Sequence, residues 1–170
     1  MKNIILIGFM GSGKSSVASL LSKKLKMEIF EMDKLILKKS KRKSINDIFK
    51  KDGEIKFREL EIRTAKKLST EDGVIVSSGG GVVMNKIIID YLRQNGVIIY
   101  LNASLVTIHT RLAGVEDRPL FKNKKTSQKL YELRKPLYED YSDVAINVNG
   151  KTVERISTDI ISKLKSYGWK

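Results

Sequence analysis

The sequence predicts a three-layer α/β domain, in which helices cover both faces of a parallel sheet. Three observations predict it. Residues 4–7, Ile-Ile-Leu-Ile, form an unbroken aliphatic run that stops at Gly8, the pattern of a strand buried on both faces. Apolar runs of strand length then alternate with segments of helical period, and no repeat, linker or low-complexity stretch interrupts them. The chain has 170 residues, 41% of them apolar and 31% charged, which suits one core and leaves little room for a second. A single domain over residues 1–170 is expected.

The elements follow in order. After the strand at 4–7, residues 14–25 place Val17, Leu20, Leu21 and Leu25 on one helical stripe, and an apolar stretch at 28–32 reads as a second strand. Ser44 with Asp47 three residues on has the form of a capping box and starts a short helix carrying Ile45, Ile48 and Phe49, which Gly53 can end. Phe57, Leu60, Ala65 and Leu68 line one side of a longer helix. Val74-Ile75-Val76 is the third strand, broken by Gly79-Gly80-Gly81. A helix with Ile88, Tyr91 and Leu92 stops at Asn95-Gly96, before a strand at 97–101. A helix at about 104–112 precedes residues 114–126, a polar, basic stretch without apolar period that reads as a mobile flap. A helix at 127–141, a strand at 144–148 and a terminal helix from about Thr152 complete the chain.

Composition excludes several chemistries. There are no cysteines, so disulfides, thiolate zinc sites and cysteine nucleophiles are ruled out, and a cytoplasmic location is expected. The longest apolar runs are of strand length, well short of the roughly 20 residues that cross a bilayer, so no membrane association is expected. The first apolar run ends at Gly8 without a small-residue cleavage site, so no secretory signal is expected. The 33 Lys and Arg exceed the 19 Asp and Glu, giving a net charge of +14. Much of that excess is Lys spread along helices, with a cluster at Lys38, Lys39, Lys41, Arg42 and Lys43, which reads as a solvated face more readily than as a nucleic-acid groove. A nucleotide-dependent nucleic-acid-binding module is the competing class; a steep salt dependence would mark it.

Residues 8–15, Gly-Phe-Met-Gly-Ser-Gly-Lys-Ser, match G-x-x-x-x-G-K-[ST] in full, between a predicted strand and a predicted helix. Glycines let successive backbone N–H groups turn inward on phosphate oxygens, and the helix N-terminus adds its positive dipole end. Lys14 supplies a mobile cation and Ser15 a hydroxyl for Mg²⁺; Gly11, Ser12, Gly13 and Ser16 complete the expected ATP contacts. The loop specifies a nucleoside triphosphate and leaves the acceptor open.

Other residues bear on the acceptor. Asp33 follows the second strand, where ligands bind in parallel sheets, and Glu31 two residues earlier would point the same way from an extended segment, unless the pair only caps the next helix. Arg58 has Glu54 at i−4 and Glu61 at i+3, either able to hold its guanidinium, which also describes a plain surface ion pair. The three glycines at 79–81 permit close ligand approach, or simply a flexible turn. Arg118-Pro119 lies in the flap, and Arg134-Lys135-Pro136-Leu137-Tyr138 late in the following helix. His109, the only histidine, has no acidic or nucleophilic partner near it in sequence and reads as structural; Trp169 suggests no function.

Taken together, the phosphate loop, Phe-Arg-Glu-Leu-Glu, Gly-Gly-Gly, Arg-Pro-Leu and Arg-Lys-Pro-Leu-Tyr resemble the shikimate kinase family, in order and over essentially the whole chain. The resemblance implies a nucleoside-monophosphate-kinase-like fold with a five-stranded parallel sheet, a substrate-binding region at about 33–61 and a lid at about 114–126. It implies transfer of the ATP γ-phosphoryl group to the 3-hydroxyl of shikimate, with Mg²⁺; a monomer is expected. By that likeness Asp33 meets the shikimate hydroxyls, Arg58 and Arg134 its carboxylate, and Gly79, Gly80 and Gly81 its other side, while Glu61 fixes the Arg58 rotamer. Lys14 and Arg118 would counter charge on the transferring phosphate, and Arg111 and Lys151 lie where the family packs adenine. One departure is visible: the family has Asp-x-Asp where this chain has Glu31-Met32-Asp33, and the first acid reaches Mg²⁺ through water, so Glu31 carries one extra methylene. A gluconate or nucleoside-monophosphate kinase of similar fold is the near alternative.

Overall fold

The computed structural model describes residues 2–113 and 124–169. Five strands, β1 (Asn3–Ile7), β2 (Glu28–Glu31), β3 (Val74–Ser77), β4 (Gly96–Asn102) and β5 (Val144–Asn147), form one all-parallel sheet in the order β2-β3-β1-β4-β5. Among the described residues eight α-helices accompany them: α1 (Lys14–Leu25), α2 (Met32–Ser40), α3 (Ile45–Lys51), α4 (Gly53–Leu68), α5 (Lys86–Gln94), α6 (Leu105–Leu112), α7 (Lys124–Tyr141) and α8 (Val153–Ser166). No described helix is long and apolar enough to cross a membrane.

Every residue of β1 is buried because the strand lies mid-sheet, with Ile5 opposite Val76 on one side and Ile98 on the other. The edge strands β2 and β5 are shorter and more exposed, as edges covered on fewer sides must be. One cluster centred on β1, β3 and β4 forms the main core; Ile36, Ile48, Phe57 and Leu60 form a second, smaller one joining α2, α3 and α4. Trp169, which the sequence left without a role, packs against the main core and donates its Nε1 hydrogen to the carbonyl of Lys2.

Four details depart from the sequence expectation. The second strand stops at Glu31 and the chain turns directly into α2, so Asp33 sits in a helical first turn and the two carboxylates do not project from one extended segment. Asp52 caps α3, and Gly53, at φ 83°, opens α4 four residues before Phe57. Gly96 belongs to β4, opposite Asn3, and a 3₁₀ turn, Val82–Met84, follows the glycine triplet. Residues 124–126, assigned to the flap, form the first turn of α7. The capping expectation holds at Ser44, whose Oγ accepts from Asp47 N at 3.1 Å, but the Asp47 carboxylate returns to Lys43 N rather than to Ser44 N.

Candidate active site

Because all five strands are parallel, the turns that leave them lie along one edge of the sheet, and these turns carry the chemistry. Gly8 follows β1, Met32 and Asp33 follow β2, Ser78 and the glycine triplet follow β3, and Val148 to Lys151 follow β5. A cleft of about 550 Å³ runs along this edge, from Asp33, Ser78 and Gly80 across Lys14, Ser15 and Ser16 to Arg111, Lys151 and Ile156.

The phosphate loop enters the cleft as its sequence demands. Gly13 caps α1 at φ 100°, a conformation that favours glycine. It offers no side-chain cap, whereas Ser44, Asn85, Ser104 and Thr152 cap α3, α5, α6 and α8 with their side chains. With no acid in its first turn either, α1 presents backbone N–H groups and a positive dipole end to the cleft. Lys14, expected from sequence as a cation over the phosphates, turns back into its own loop here. It is only 9% exposed, and its Nζ donates to the carbonyls of Gly8 at 2.7 Å and Phe9 at 3.1 Å. The ammonium thus braces the loop from within while lining the cleft.

Ser15 and Glu31 meet beside it: the Ser15 hydroxyl donates to Glu31 Oε2 at 3.3 Å, and Lys34 pairs with the other carboxylate oxygen. Asp33, one helical position beyond Met32, approaches the glycine triplet instead. A Cβ placed on Gly79 would lie 2.7 Å from Asp33 Oδ1, so this residue must lack a side chain if Asp33 is to keep its position.

Arg58 and Arg134 meet at Gly81, the last residue of the triplet. Arg58 binds both carboxylates the sequence offered it, Glu61 through Nη1 at 2.6 Å and Glu54 through Nη2 at 3.1 Å. These partners differ in burial: the Glu61 side chain is 2% exposed and that of Glu54 66%. Burial pushes the Glu61 carboxyl above the ordinary glutamate value, and the Arg58 charge opposes that shift without cancelling it. Burial also lowers Arg58, but Glu61 and Glu54 more than offset it and its value is raised. Arg134 is 9% exposed, lies over the Phe9 ring, and donates from Nη1 to the Gly80 carbonyl at 3.2 Å. Burial depresses its pKa, and the nearby Arg58 charge adds to the effect. Two guanidinium groups share this corner; Glu61 and Glu54 both engage Arg58, while Arg134 forms no ion pair among the described residues and is suited to a further anion.

At the opposite end Arg111 donates to Ser12 O at 2.9 Å and Val148 O at 3.2 Å, joining the phosphate loop to the turn after β5. Lys151 lines the same cleft, its ammonium paired with Asp159 at 2.8 Å. His109 is half-buried and lines a separate groove with Leu105, Val106 and Gln128. Arg118 and residues 114–123 of the expected lid lie outside the described residues. Sequence reasoning gave no role to Phe9, which contacts Tyr131 edge-on and underlies Arg134, because the x positions of the loop motif carry no signal of their own.

This fold and this site define a small-molecule kinase of the phosphate-loop class. The family model described as shikimate kinase matches residues 10–165. A shikimate kinase from a Sulfurihydrogenibium species is 41% identical over 166 residues, covering 97% of this chain and 99% of its own. Shikimate kinase from Acinetobacter baumannii, solved in complex with shikimate, superposes with a TM-score of 0.90 at 29% identity, covering 100% of this chain and 96% of that one. The Aquifex aeolicus enzyme does so with a TM-score of 0.86 at 31% identity over 98% of both chains. The chain belongs to the shikimate kinase family.

Proposed function

We propose that this protein transfers the γ-phosphoryl group of ATP to the 3-hydroxyl of shikimate, giving shikimate 3-phosphate and ADP. The observation that carries the reading is the junction of two halves at the glycine triplet: a complete phosphate loop whose cleft reaches Asp33 and Gly80, and two arginines from different helices that meet at Gly81, two residues beyond the Gly79 against which Asp33 lies. A guanidinium pair suits a small carboxylate far better than a nucleobase, since planar forks match carboxylate geometry with charge-assisted bonds.

In this reading Arg58 and Arg134 grip the carboxylate, and the ring hydroxyls face Asp33. Asp33 orients the 3-hydroxyl and takes its proton as the O–P bond forms and the bond from the γ-phosphorus to the β,γ-bridging oxygen breaks. Lys14 moves from the Gly8 and Phe9 carbonyls onto the phosphates, and the open N-terminus of α1 holds them. Glu61 does not touch substrate; it keeps the Arg58 fork in one rotamer. Arg111 and Lys151 flank the base end of the cleft. Arg118 counters charge on the transferring group from the lid.

The site fits magnesium accompanying ATP. Ser15 lines the cleft beside the phosphate loop and stands together with Glu31 as an oxygen pair that would hold the ion. No group of three or more His, Asp or Glu placed to hold a metal ion occurs among the described residues, so phosphate oxygens and water would supply the other ligands. Bound there, the ion neutralises phosphate charge.

A coupled ADP-release assay with shikimate, gluconate and nucleoside monophosphates tests the reading. Turnover confined to shikimate is expected; preference for gluconate or a nucleotide overturns it. Asp33→Asn should lower kcat by roughly 10²-fold with little change in the ATP KM. Arg118→Ala should lower kcat more than it weakens shikimate binding.

A further inference from the structure

Tyr138 is fully buried one helical turn beyond Arg134, and the two residues converge on a single acceptor. The Tyr138 hydroxyl donates to the Gly80 carbonyl at 2.5 Å, and Arg134 Nη1 donates to the same oxygen at 3.2 Å. Gly80 sits against the phosphate loop: a Cβ placed on it would lie 3.2 Å from Met10 N and 3.6 Å from Gly8 O.

We propose that Tyr138 is a positioning residue for the acceptor, its hydroxyl fixing the Gly80 carbonyl and that carbonyl fixing the guanidinium of Arg134. The inference rests on the reading above, in which Arg134 binds the carboxylate.

The physical case is one of unequal stiffness. Gly80 stands between two other glycines, so its peptide has few local constraints on its orientation. Arg134 has four rotatable side-chain torsions, and its buried Nε has no hydrogen-bond partner among the described residues to hold it. Tyr138 is the rigid member. Its ring stacks on Tyr100 with centroids 5.2 Å apart and planes 16° apart, and Tyr100 belongs to β4, an interior strand paired on both sides. Burial raises the Tyr138 phenol well above its ordinary value, so it remains a donor throughout the useful pH range. The order of the sheet is thereby carried through Tyr100 and Tyr138 to Gly80, and from Gly80 to Arg134. Without the hydroxyl, carbonyl and guanidinium are left to order each other.

Tyr138→Phe tests this, because it keeps the ring and its stack and deletes only the hydroxyl. Tyr100→Phe is the control: it removes a hydroxyl from the same stacked pair, but one that bonds Asn102 Oδ1 at 3.2 Å instead of Gly80. Steady-state KM and kcat for shikimate and ATP would be measured for both, and for Arg134→Lys alone and combined with Tyr138→Phe. Circular dichroism and thermal midpoints would confirm that each variant is folded at the assay temperature, and shikimate affinity by calorimetry gives a reading independent of turnover. The expected result is a shikimate KM and Kd raised roughly fivefold in Tyr138→Phe, the loss of about one net hydrogen bond. The ATP KM and the kinetics of Tyr100→Phe should be unchanged, and Tyr138→Phe should add nothing in the Arg134→Lys background. An equal shikimate defect in Tyr100→Phe, or full additivity with Arg134→Lys, overturns the positioning role. So does an unchanged shikimate KM in Tyr138→Phe while Arg134→Lys raises it, an outcome that leaves the carboxylate reading standing. An unchanged shikimate KM in Arg134→Lys overturns both.

Discussion

Arg58 of α4 and Arg134 of α7 reach the same glycine from helices far apart in sequence: a Cβ at Gly81 would lie 3.3 Å from Arg58 Nη1 and 3.6 Å from Arg134 Nη2. Two like charges at that separation repel unless something anionic joins them. Glu61, buried beneath Arg58, and the exposed Glu54 both engage Arg58, whereas Arg134 forms no ion pair among the described residues and remains for a ligand.

Replacing Arg58 by Lys should therefore raise the shikimate KM about tenfold or more while the ATP KM stays put. An ammonium keeps the charge and loses the fork, so the measurement separates geometry from electrostatics. If the shikimate KM does not change, Arg58 is an ordinary helix ion pair with Glu54 and Glu61.

Gly79→Ala is expected to behave like an Asp33 variant, although it alters no charge. The new methyl would meet Asp33 Oδ1 at 2.7 Å, and since that atom ends a flexible side chain, the carboxylate moves and the backbone does not. We expect kcat to fall by roughly 10²-fold with the urea midpoint nearly unchanged. A large loss of stability with normal kcat per folded molecule would show that the backbone gives way instead.

Glu61 makes a prediction in pH. Burial raises its folded-state pKa above the unfolded value, so the native state binds the extra proton between the two, and this group's contribution to stability is lost as pH rises through that interval. Glu61→Gln cannot ionise. The difference in thermal midpoint, variant minus parent, should accordingly become more positive as pH rises from 4 toward neutrality. A difference that falls over this range would mean that the Arg58 pair outweighs burial. Shikimate KM should rise in the same variant, because Arg58 loses the partner that holds its rotamer.

Lys14→Ala should lower kcat by on the order of 10²–10³-fold, as expected for removing a cation aimed at the developing charge. Because Lys14 is buried and bonds Gly8 and Phe9, it should also cost about 1 kcal/mol of stability, read from urea denaturation. Lost turnover with an unaltered urea midpoint would show that the contacts within the loop contribute nothing.

Much of this protein was legible in its sequence, for local reasons. The β1 run and the motif at 8–15 specify strand, loop and helix within a few residues, and the Ser44 cap satisfies a backbone donor beside it. Arg58 lies on one helix face with Glu54 and Glu61, so its partners follow from helical period alone. The five motifs that matched a family fixed the acceptor class as well.

Tertiary structure decided what depends on distant segments meeting. The α2 helix was missed because its start depends on β2 ending at the sheet edge, which also sends Glu31 to Ser15 and Asp33 to Gly79. No period in the chain indicates that Arg134 and Tyr138 share the Gly80 carbonyl, 54 and 58 residues away, or that Lys14 turns back into its own loop. Such pairings depend on where the parallel sheet sets its turns, and burial then fixes their protonation and their partners. Sequence period reports a residue's neighbours on its own element; only packing determines which other element it faces.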